Sequence, residues 1–193
     1  MIMANEGQAI TLNRRNHELF QAYLKDTRHS QRDRAIYLLT YRAGMRIGSV
    51  AKLRLDDVLD ASGKVKKVVI LRKEITKGKK TVSAYINHPE LLEALEEWLE
   101  YRKGNCRETL FYSQKGAPFT PNSLSRVMLH HYKTAGFEGS SSHSGRRAFA
   151  SNCLKKGMDV VALSKVMSHS SLNTTMKYIH HDESELLQLV ESV

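Results

Sequence analysis

Apolar residues recur every three to four positions over most of the chain, and this spacing is typical of amphipathic helices. The first such segment covers residues 13–25, where the apolar positions are Leu19, Phe20, Tyr23 and Leu24. A second predicted helix runs from about residue 31 to Ala43, and Gly44 is a natural end for it. The sequence RIGSVAKLRLDDVL that follows indicates another short helix and a turn.

The pattern changes at Lys64, where valine and isoleucine become frequent and favour strands. Residues 64–76 and 80–88 are the two strand candidates, and Gly78 between them suits a tight turn. These segments form either one β-hairpin or part of a small three-stranded sheet, and the sequence leaves both open.

Helical spacing returns at Pro89, which fits the first turn of a helix that ends near Gly104 and carries Trp98 on its core side. A strand-like piece and a loop lead to Thr120, a good helix start. Further helices are predicted at residues 122–136, 145–157, 159–167 and, as a short amphipathic tail, 182–193. The predicted fold class is α+β and mainly α-helical, with a small antiparallel sheet or hairpin inserted between helices.

A chain of 193 residues fits one domain with a real core. We expect residues 1–11 to be a flexible lead-in, 12–181 to be the folded domain and 182–193 to be a helical tail. No apolar run approaches a membrane span, and the first residues lack a signal-peptide core, so export is not expected. Two distant cysteines, Cys106 and Cys153, argue against a disulfide scaffold or a cysteine zinc site and favour reduced, cytoplasmic thiols.

Charge adds the first functional indication. Thirty lysines and arginines against twenty acidic residues give a net charge of +10. A basic surface of this kind favours a polyanion such as nucleic acid, because phosphate contacts release counterions. Charge alone is also compatible with a basic protein that has no such partner.

Two chain turns carry cations that can face a phosphate. Arg46 follows the break at Gly44 and precedes a helix, where its guanidinium can hold phosphate oxygens. Lys77 lies beside Gly78 at the hairpin tip, from which a lysine can reach into a groove as a proton donor, and Lys79 is its rival. By itself, Arg46 is better explained as a solvated surface charge, and Lys77 as part of a basic turn that protects a sheet edge.

His143 and Arg146 are three residues apart, which puts them on one face of a helix that begins at Ser142. Unpaired N–H groups at a helix start favour an anion, and Ser142 is the expected N-cap. Gly145 is a poor helix former, so we expect a loose first turn. The pair suits phosphate chemistry.

His169 and Tyr178 are nine residues apart, which a continuous helix would place on opposite faces. The intervening SSLN must therefore break the helix if the two side chains are to meet, and Asn173 is a natural N-cap for the new helix. The plainer interpretation makes Tyr178 a core aromatic and His169 a loop histidine.

Taken together, these residues resemble the catalytic set of the tyrosine recombinases, also called the phage integrase family. AGMRIGSVAKLRLDDV is similar to the first arginine box of that family, HSGRRAFASNCLKKGMD to its H-x-x-R box, and MSHSSLNTTMKYIH to its last box. The resemblance covers about residues 12–181, which makes that segment a tyrosine recombinase catalytic domain. The matching residues, in family order, are Arg46, Lys77, His143, Arg146, His169 and Tyr178.

The resemblance implies a site-specific DNA recombinase. Tyr178 would attack a DNA phosphate and form a 3′-phosphotyrosyl link with release of a 5′-hydroxyl, which conserves the bond energy for rejoining. Arg46 and Arg146 would stabilise charge on the non-bridging oxygens.

The same resemblance gives the other three residues their roles. Lys77 would protonate the leaving 5′-oxygen, His143 would act in acid–base transfer, and His169 would bind the phosphate. The family's chemistry needs no cofactor and no metal, and the sequence lacks an acidic cluster suited to Mg²⁺. The paired histidines His130-His131 and His180-His181 have no spaced cysteine or carboxylate partners.

The implied partners are double-stranded DNA and further copies of the chain. We expect a homotetramer on DNA, a monomer or weak oligomer without DNA, and accessory DNA-bending proteins as further candidates. The implied location is the cytoplasm of a bacterium, at the nucleoid, for a bacterial or phage-encoded protein. In this family the last helix commonly docks on a neighbouring copy, and the tail at 182–193 fits docking in cis or in trans.

Several departures from the family pattern bear on these expectations. Members usually carry an N-terminal DNA-clamping domain, whereas the matched region begins almost at once. Ser49 occupies a position where many members have glutamate, which would loosen the support of Arg46, and Gly145 replaces a common apolar residue. Two alternatives remain at this stage: a type IB topoisomerase, which shares the tyrosine chemistry, and a non-catalytic DNA-binding regulator.

Overall fold

The computed structural model describes residues 10–76, 78, 80–102, 108–169, 171–178 and 190–191. The predicted fold class is confirmed, because the described chain is mainly helical with one small antiparallel sheet. In chain order the α-helices are α1 Arg14–Lys25, α2 Ser30–Tyr41, α3 Ile47–Val50, α4 Leu55–Val58, α5 Pro89–Tyr101, α6 Pro121–Thr134, α7 Ser144–Lys155, α8 Val160–Val166 and α9 Leu172–Met176. The strands are β1 Val68–Leu71 and β2 Val82–Tyr85, and a 3₁₀ turn covers Lys73–Ile75.

Helix ends follow the capping chemistry of the sequence. Asn13 caps α1 by accepting a hydrogen bond from the Asn16 backbone at 2.8 Å, and Thr120 caps α6 in the predicted way. Gly44, just beyond α2, has a φ of +61°, a conformation that favours glycine. Leu19, predicted on the apolar side of α1, is 53% exposed, because the buried side of α1 instead carries His17, Phe20, Gln21 and Leu24.

The sheet is a two-stranded hairpin, so the first of the two predicted alternatives holds for the described residues. Val68 pairs with Tyr85 and Leu71 with Val82 in antiparallel register. The strand-like piece after α5 forms only isolated bridges, which join Thr109 to Arg54 and Tyr112 to Pro118. The hairpin tip residues Lys77 and Lys79, the predicted helix end at Gly104 and residues 182–189 and 192–193 of the tail lie outside the described residues.

The core is built around α2, which packs between α5, α7 and α1. Its apolar residues from Ile36 to Leu39 are fully buried, as a central helix requires. Trp98 of α5 is 2% exposed and donates to the Leu110 carbonyl at 2.9 Å, which confirms its predicted place in the core. Both ring nitrogens of buried His131 have partners, Asp33 at 3.0 Å and Tyr23 at 3.2 Å. None of the helices in the described ranges is long and apolar enough to cross a membrane.

A smaller apolar cluster lies beyond this core and supports the C-terminal segment. Ala150 of α7 packs there with Leu163 and Met167 at the end of α8, and Phe149 and Tyr178 cover the cluster. Helix α7 therefore connects the main core to the segment that carries the predicted nucleophile.

Candidate active site

Arg146 occupies the first turn of α7 and joins three separate parts of the chain. Its side chain is buried, and Nη1 donates to the Gly44 carbonyl in the turn after α2. Nη2 donates to the Met167 carbonyl at 2.6 Å and contacts His169 Nε2 at 3.1 Å. Because a guanidinium has five N–H donors in a fixed plane, these contacts orient it while leaving donors for another acceptor.

Arg46 is the N-cap residue of α3 and interacts electrostatically with Arg146. Burial, followed by the positive charge of Arg46, lowers the pKa of Arg146 to about 10, with an opposing contribution from the hydroxyl of Tyr178. Burial also lowers the pKa of Arg46, again with an opposing contribution from Tyr178. Two guanidinium groups and the predicted nucleophile therefore form one electrostatic cluster.

His169 is fixed by the way α8 ends. Its backbone N–H donates to the Ser164 carbonyl at 3.0 Å, and that of Ser168 donates to the Lys165 carbonyl at 3.0 Å. This is a Schellman ending, in which the residue in left-handed conformation is commonly glycine. Ser168 takes that conformation with a φ of +53°, a costly choice for a non-glycine residue. The strained turn directs His169 toward Arg146.

The imidazole of His169 lies between a cation and a hydroxyl. Nε2 faces Arg146, and Nδ1 is 2.7 Å from the Thr175 hydroxyl. Partial burial, followed by the charges of Arg146 and Arg46, lowers the pKa of His169 to about 4. The ring is therefore neutral at physiological pH.

Tyr178 comes two residues after the end of α9 and stacks on His169, with ring centroids 6.0 Å apart and an interplanar angle of 17°. Arg147 lies over the Tyr178 ring at 5.9 Å. The tyrosine is half-buried, so its ring packs on the small apolar cluster while its hydroxyl interacts with Arg146. The ring of Tyr178 therefore fits the interpretation as a core aromatic. The hydroxyl, which interacts with Arg146, fits the interpretation as the reactive group.

The predicted helix break between His169 and Tyr178 is present, but the predicted cap is wrong. Ser171 is the N-cap of α9, and its hydroxyl accepts from the Asn173 backbone at 3.3 Å. Serine and asparagine are equally good caps, and the earlier of the two starts the helix. Asn173 itself lies inside α9.

The start of α7 also differs from the prediction. Ser142 is not the N-cap but a buried residue whose hydroxyl accepts from Ser125 at 3.0 Å. His143 occupies the N-cap position with an exposed side chain, and Ser144 is the first helical residue. His143 and Arg146 thus lie at the same end of α7, one exposed and one buried.

Gly145 is tightly packed, which corrects the expected loose first turn. A Cβ at this position would lie 2.3 Å from Thr40 Oγ1 and 3.3 Å from the Tyr41 backbone nitrogen. Glycine therefore lets α7 approach α2 closely, and this approach places the neighbouring Arg146 in a buried position.

Ser49 connects the arginine turn to the hairpin. Its hydroxyl donates to the Ile75 carbonyl at 2.8 Å, which links α3 to the 3₁₀ turn two residues before Lys77. Lys77 and Lys79, the two candidate lysines, both lie outside the described residues.

The cluster has no carboxylate to balance it within the described part of the chain. The groups that shift the pKa values of Arg46, Arg146 and His169 are each other and Tyr178, with no aspartate or glutamate among them. In the same ranges, no group of three or more histidine, cysteine, aspartate or glutamate side chains could hold a metal ion. The arrangement is that of an anion site beside a tyrosine hydroxyl.

Some contributors to this cluster leave little trace in the sequence. The carbonyls of Gly44 and Met167 orient Arg146 through the backbone, which any residue provides. Thr175 is fully buried against His169, and its place six residues after the histidine carries no recognised signal.

Comparison with known proteins places this geometry in a family. Residues 11–185 match the model of the phage integrase family. The chain belongs to the phage integrase family. Tyrosine recombinase XerC of Myxococcus xanthus is 32% identical over 170 residues, which cover 83% of this chain and 54% of that protein. The integrase-family chain thus spans about half the length of the curated relatives it matches.

Solved structures agree on the fold of this integrase-family chain. The crystal structure of XerA recombinase superposes with a TM-score of 0.76 at 23% identity, covering 97% of this chain and 66% of that one. XerH site-specific recombinase bound to its difH substrate gives a TM-score of 0.72 at 23% identity, and the match covers 98% of this chain and 55% of the XerH chain.

Proposed function

We propose that the chain is the catalytic part of a site-specific recombinase, which cleaves double-stranded DNA and rejoins it through a 3′-phosphotyrosyl intermediate. The observation that carries the proposal is the cluster of Arg46, Arg146 and His169 around Tyr178 without a balancing carboxylate among the described residues. Bringing two guanidinium groups together is unfavourable unless an anion joins them, and a DNA phosphate is such an anion.

In the proposed reaction the Tyr178 oxygen attacks phosphorus as the bond to the 5′-oxygen breaks. Arg46 and Arg146 bind the non-bridging oxygens and stabilise the extra negative charge of the transition state. Lys77 gives its proton to the 5′-oxygen, and His143 receives the phenol proton. Rejoining is the same sequence reversed, so bond energy is conserved and no high-energy cofactor is consumed.

The proposed partners extend beyond a single chain. XerH is bound to its difH substrate and the Tn1549 transposon integrase to transposon right end DNA, and we infer that double-stranded DNA is the substrate of this chain. Exchange of strands between two duplexes requires cleavage at four positions, so we propose a homotetramer on DNA, with residues 182–193 as the docking tail. We further propose a cytoplasmic location at the nucleoid, since the relatives are bacterial proteins.

The arginines provide the test. A DNA target is first recovered from a random library by binding to Tyr178→Phe protein, and a nick is then placed beside the cleavage position. Arg46→Ala and Arg146→Ala should slow single-turnover cleavage about 100- to 1000-fold, the usual effect of removing one oxyanion donor. DNA affinity should fall less than about tenfold, because the lost contact is strongest in the transition state.

Arg14→Ala is the matched control, since Arg14 is highly exposed and pairs with Glu18 away from the cluster. Equal losses of binding and cleavage in Arg46→Ala and Arg146→Ala would make them positioning residues and contradict the proposal. Relaxation of a supercoiled plasmid without strand exchange would instead indicate a type IB topoisomerase-like activity.

A further inference from the structure

Thr175 is the fully buried residue of α9, and its hydroxyl contacts His169. Its Oγ1 lies 2.7 Å from His169 Nδ1, a distance typical of a strong hydrogen bond. A buried hydroxyl is costly unless it is bonded, so this contact accounts for a polar residue at a position that otherwise suits an apolar one.

The direction of the Thr175 bond follows from the opposite side of the ring. Arg146 has only donors, so His169 Nε2, at 3.1 Å from Nη2, must be the acceptor of that contact. A neutral imidazole with an unprotonated Nε2 carries its proton on Nδ1. His169 Nδ1–H therefore donates to Thr175 Oγ1.

We propose that Thr175 is a positioning residue of this site: its hydroxyl accepts from Nδ1–H of the tautomer that Arg146 imposes on His169, and this bond fixes the ring with Nε2 toward Arg146. The inference rests on the proposed function for its catalytic consequence. The Thr175 hydroxyl accepts from Nδ1–H whether His169 is neutral or protonated, so it holds the ring before and after a phosphate replaces Arg146 at Nε2.

The same bond connects the two parts of the proposed mechanism. Thr175 lies in α9, and its carbonyl accepts from the Tyr178 backbone at 3.0 Å. His169 lies on the separate turn after α8. His169 is therefore aligned when α9, the helix that directly precedes Tyr178, is in place, and displacement of α9 removes the acceptor from His169.

The experiment compares Thr175→Val, which keeps the shape and removes the hydroxyl, with Thr175→Ser, which keeps the hydroxyl. Thr174→Val is the matched control, because Thr174 is the exposed neighbour of the same type. Long-range ¹⁵N–¹H NMR on DNA-free protein identifies the tautomer of His169, assigned by its absence in His169→Gln. Single-turnover cleavage of the nicked duplex measures the catalytic effect.

Wild type, Thr174→Val and Thr175→Ser should show the Nδ1–H tautomer and cleavage rates within about threefold of one another. In Thr175→Val the ring is no longer held against Arg146, so His169 should lose that tautomer preference. This variant should also cleave about 10- to 100-fold more slowly, the effect of losing one buried hydrogen bond. DNA affinity should change less than about threefold.

The proposal needs both changes in Thr175→Val, so a changed tautomer without slower cleavage, or the reverse, contradicts it. An Nε2–H tautomer in wild type, or a Thr175→Ser variant as slow as Thr175→Val, also overturns it. Because the tautomer is read without DNA, wild-type protein that forms no adduct would refute the proposed function while the NMR result still decides the role of Thr175.

Discussion

At the scale of single residues, a phosphate that enters the site must change the partner of His169. In the free protein Nε2 accepts from Arg146, whereas phosphate oxygens only accept hydrogen bonds. His169 can bind the phosphate through Nε2 only if that nitrogen gains a proton. Burial and the two arginines now oppose this proton and hold the pKa of His169 at about 4, and a bound anion would favour the proton instead.

We therefore expect vanadate, a phosphate mimic, to raise the pKa of His169 well above 4 in an NMR titration. An unchanged pKa with saturating vanadate would contradict the proposed role of His169.

In the free protein the folded pKa of His169 lies below the ordinary value of 6.5, so the unfolded chain binds more protons between about pH 6.5 and 4. Stability from this group is thus present above pH 6.5 and lost on acidification through that range. His169→Gln should flatten this part of the profile of stability against pH.

At the scale of elements, the site depends on how closely α7 approaches α2. Gly145 allows the approach, Arg146 follows it directly, and the Gly44 carbonyl after α2 accepts from that arginine. Packing between these helices therefore sets the position of the guanidinium. Helix propensity alone would favour alanine at Gly145.

Gly145→Ala should destabilise the protein by about 1–3 kcal/mol, because the new Cβ overlaps Thr40. Gly48→Ala is the matched control: a Cβ there meets Pro121 at 3.5 Å, an ordinary contact, so its stability should change little. Chemical denaturation measures both. Adding Thr40→Ala to Gly145→Ala should recover part of the loss, and a fully additive double mutant would show that the overlap is not the cause.

Sequence patterns predict some features of these elements correctly and others wrongly. The break between His169 and Tyr178 could be predicted because a straight helix would separate them by half a turn. The cap of α9 could not, because Ser171 and Asn173 satisfy the same chemistry. Gly145 was wrongly expected to loosen α7, since propensity contains no information about the distance to α2. The contacts to backbone carbonyls have no side-chain signature at all.

At the scale of the whole molecule, the net charge of +10 is the feature that bears most on the proposed binding of DNA. Contacts to phosphates position a protein on DNA without reading its sequence, and they release counterions. We therefore expect the affinity of this chain for DNA to be dominated by this electrostatic part.

The affinity of Tyr178→Phe protein for its DNA target should therefore fall steeply with salt. Each phosphate contact contributes about 0.9 to the slope of log affinity against log salt, and a slope of several units is expected. Fluorescence anisotropy across a salt series measures it. A flat response would contradict DNA as the partner of this basic surface.

The central claim, that Tyr178 forms a covalent bond with a DNA phosphate, is tested most directly by trapping that bond. On a duplex nicked beside the cleavage position, the short 5′-hydroxyl strand diffuses away and rejoining is prevented. Wild-type protein, and the control Tyr101→Phe at an exposed tyrosine, should accumulate the adduct, and mass spectrometry should locate the nucleotide on the peptide that contains Tyr178. Tyr178→Phe should form none. An undiminished adduct in Tyr178→Phe, or attachment at another residue, would contradict the claim.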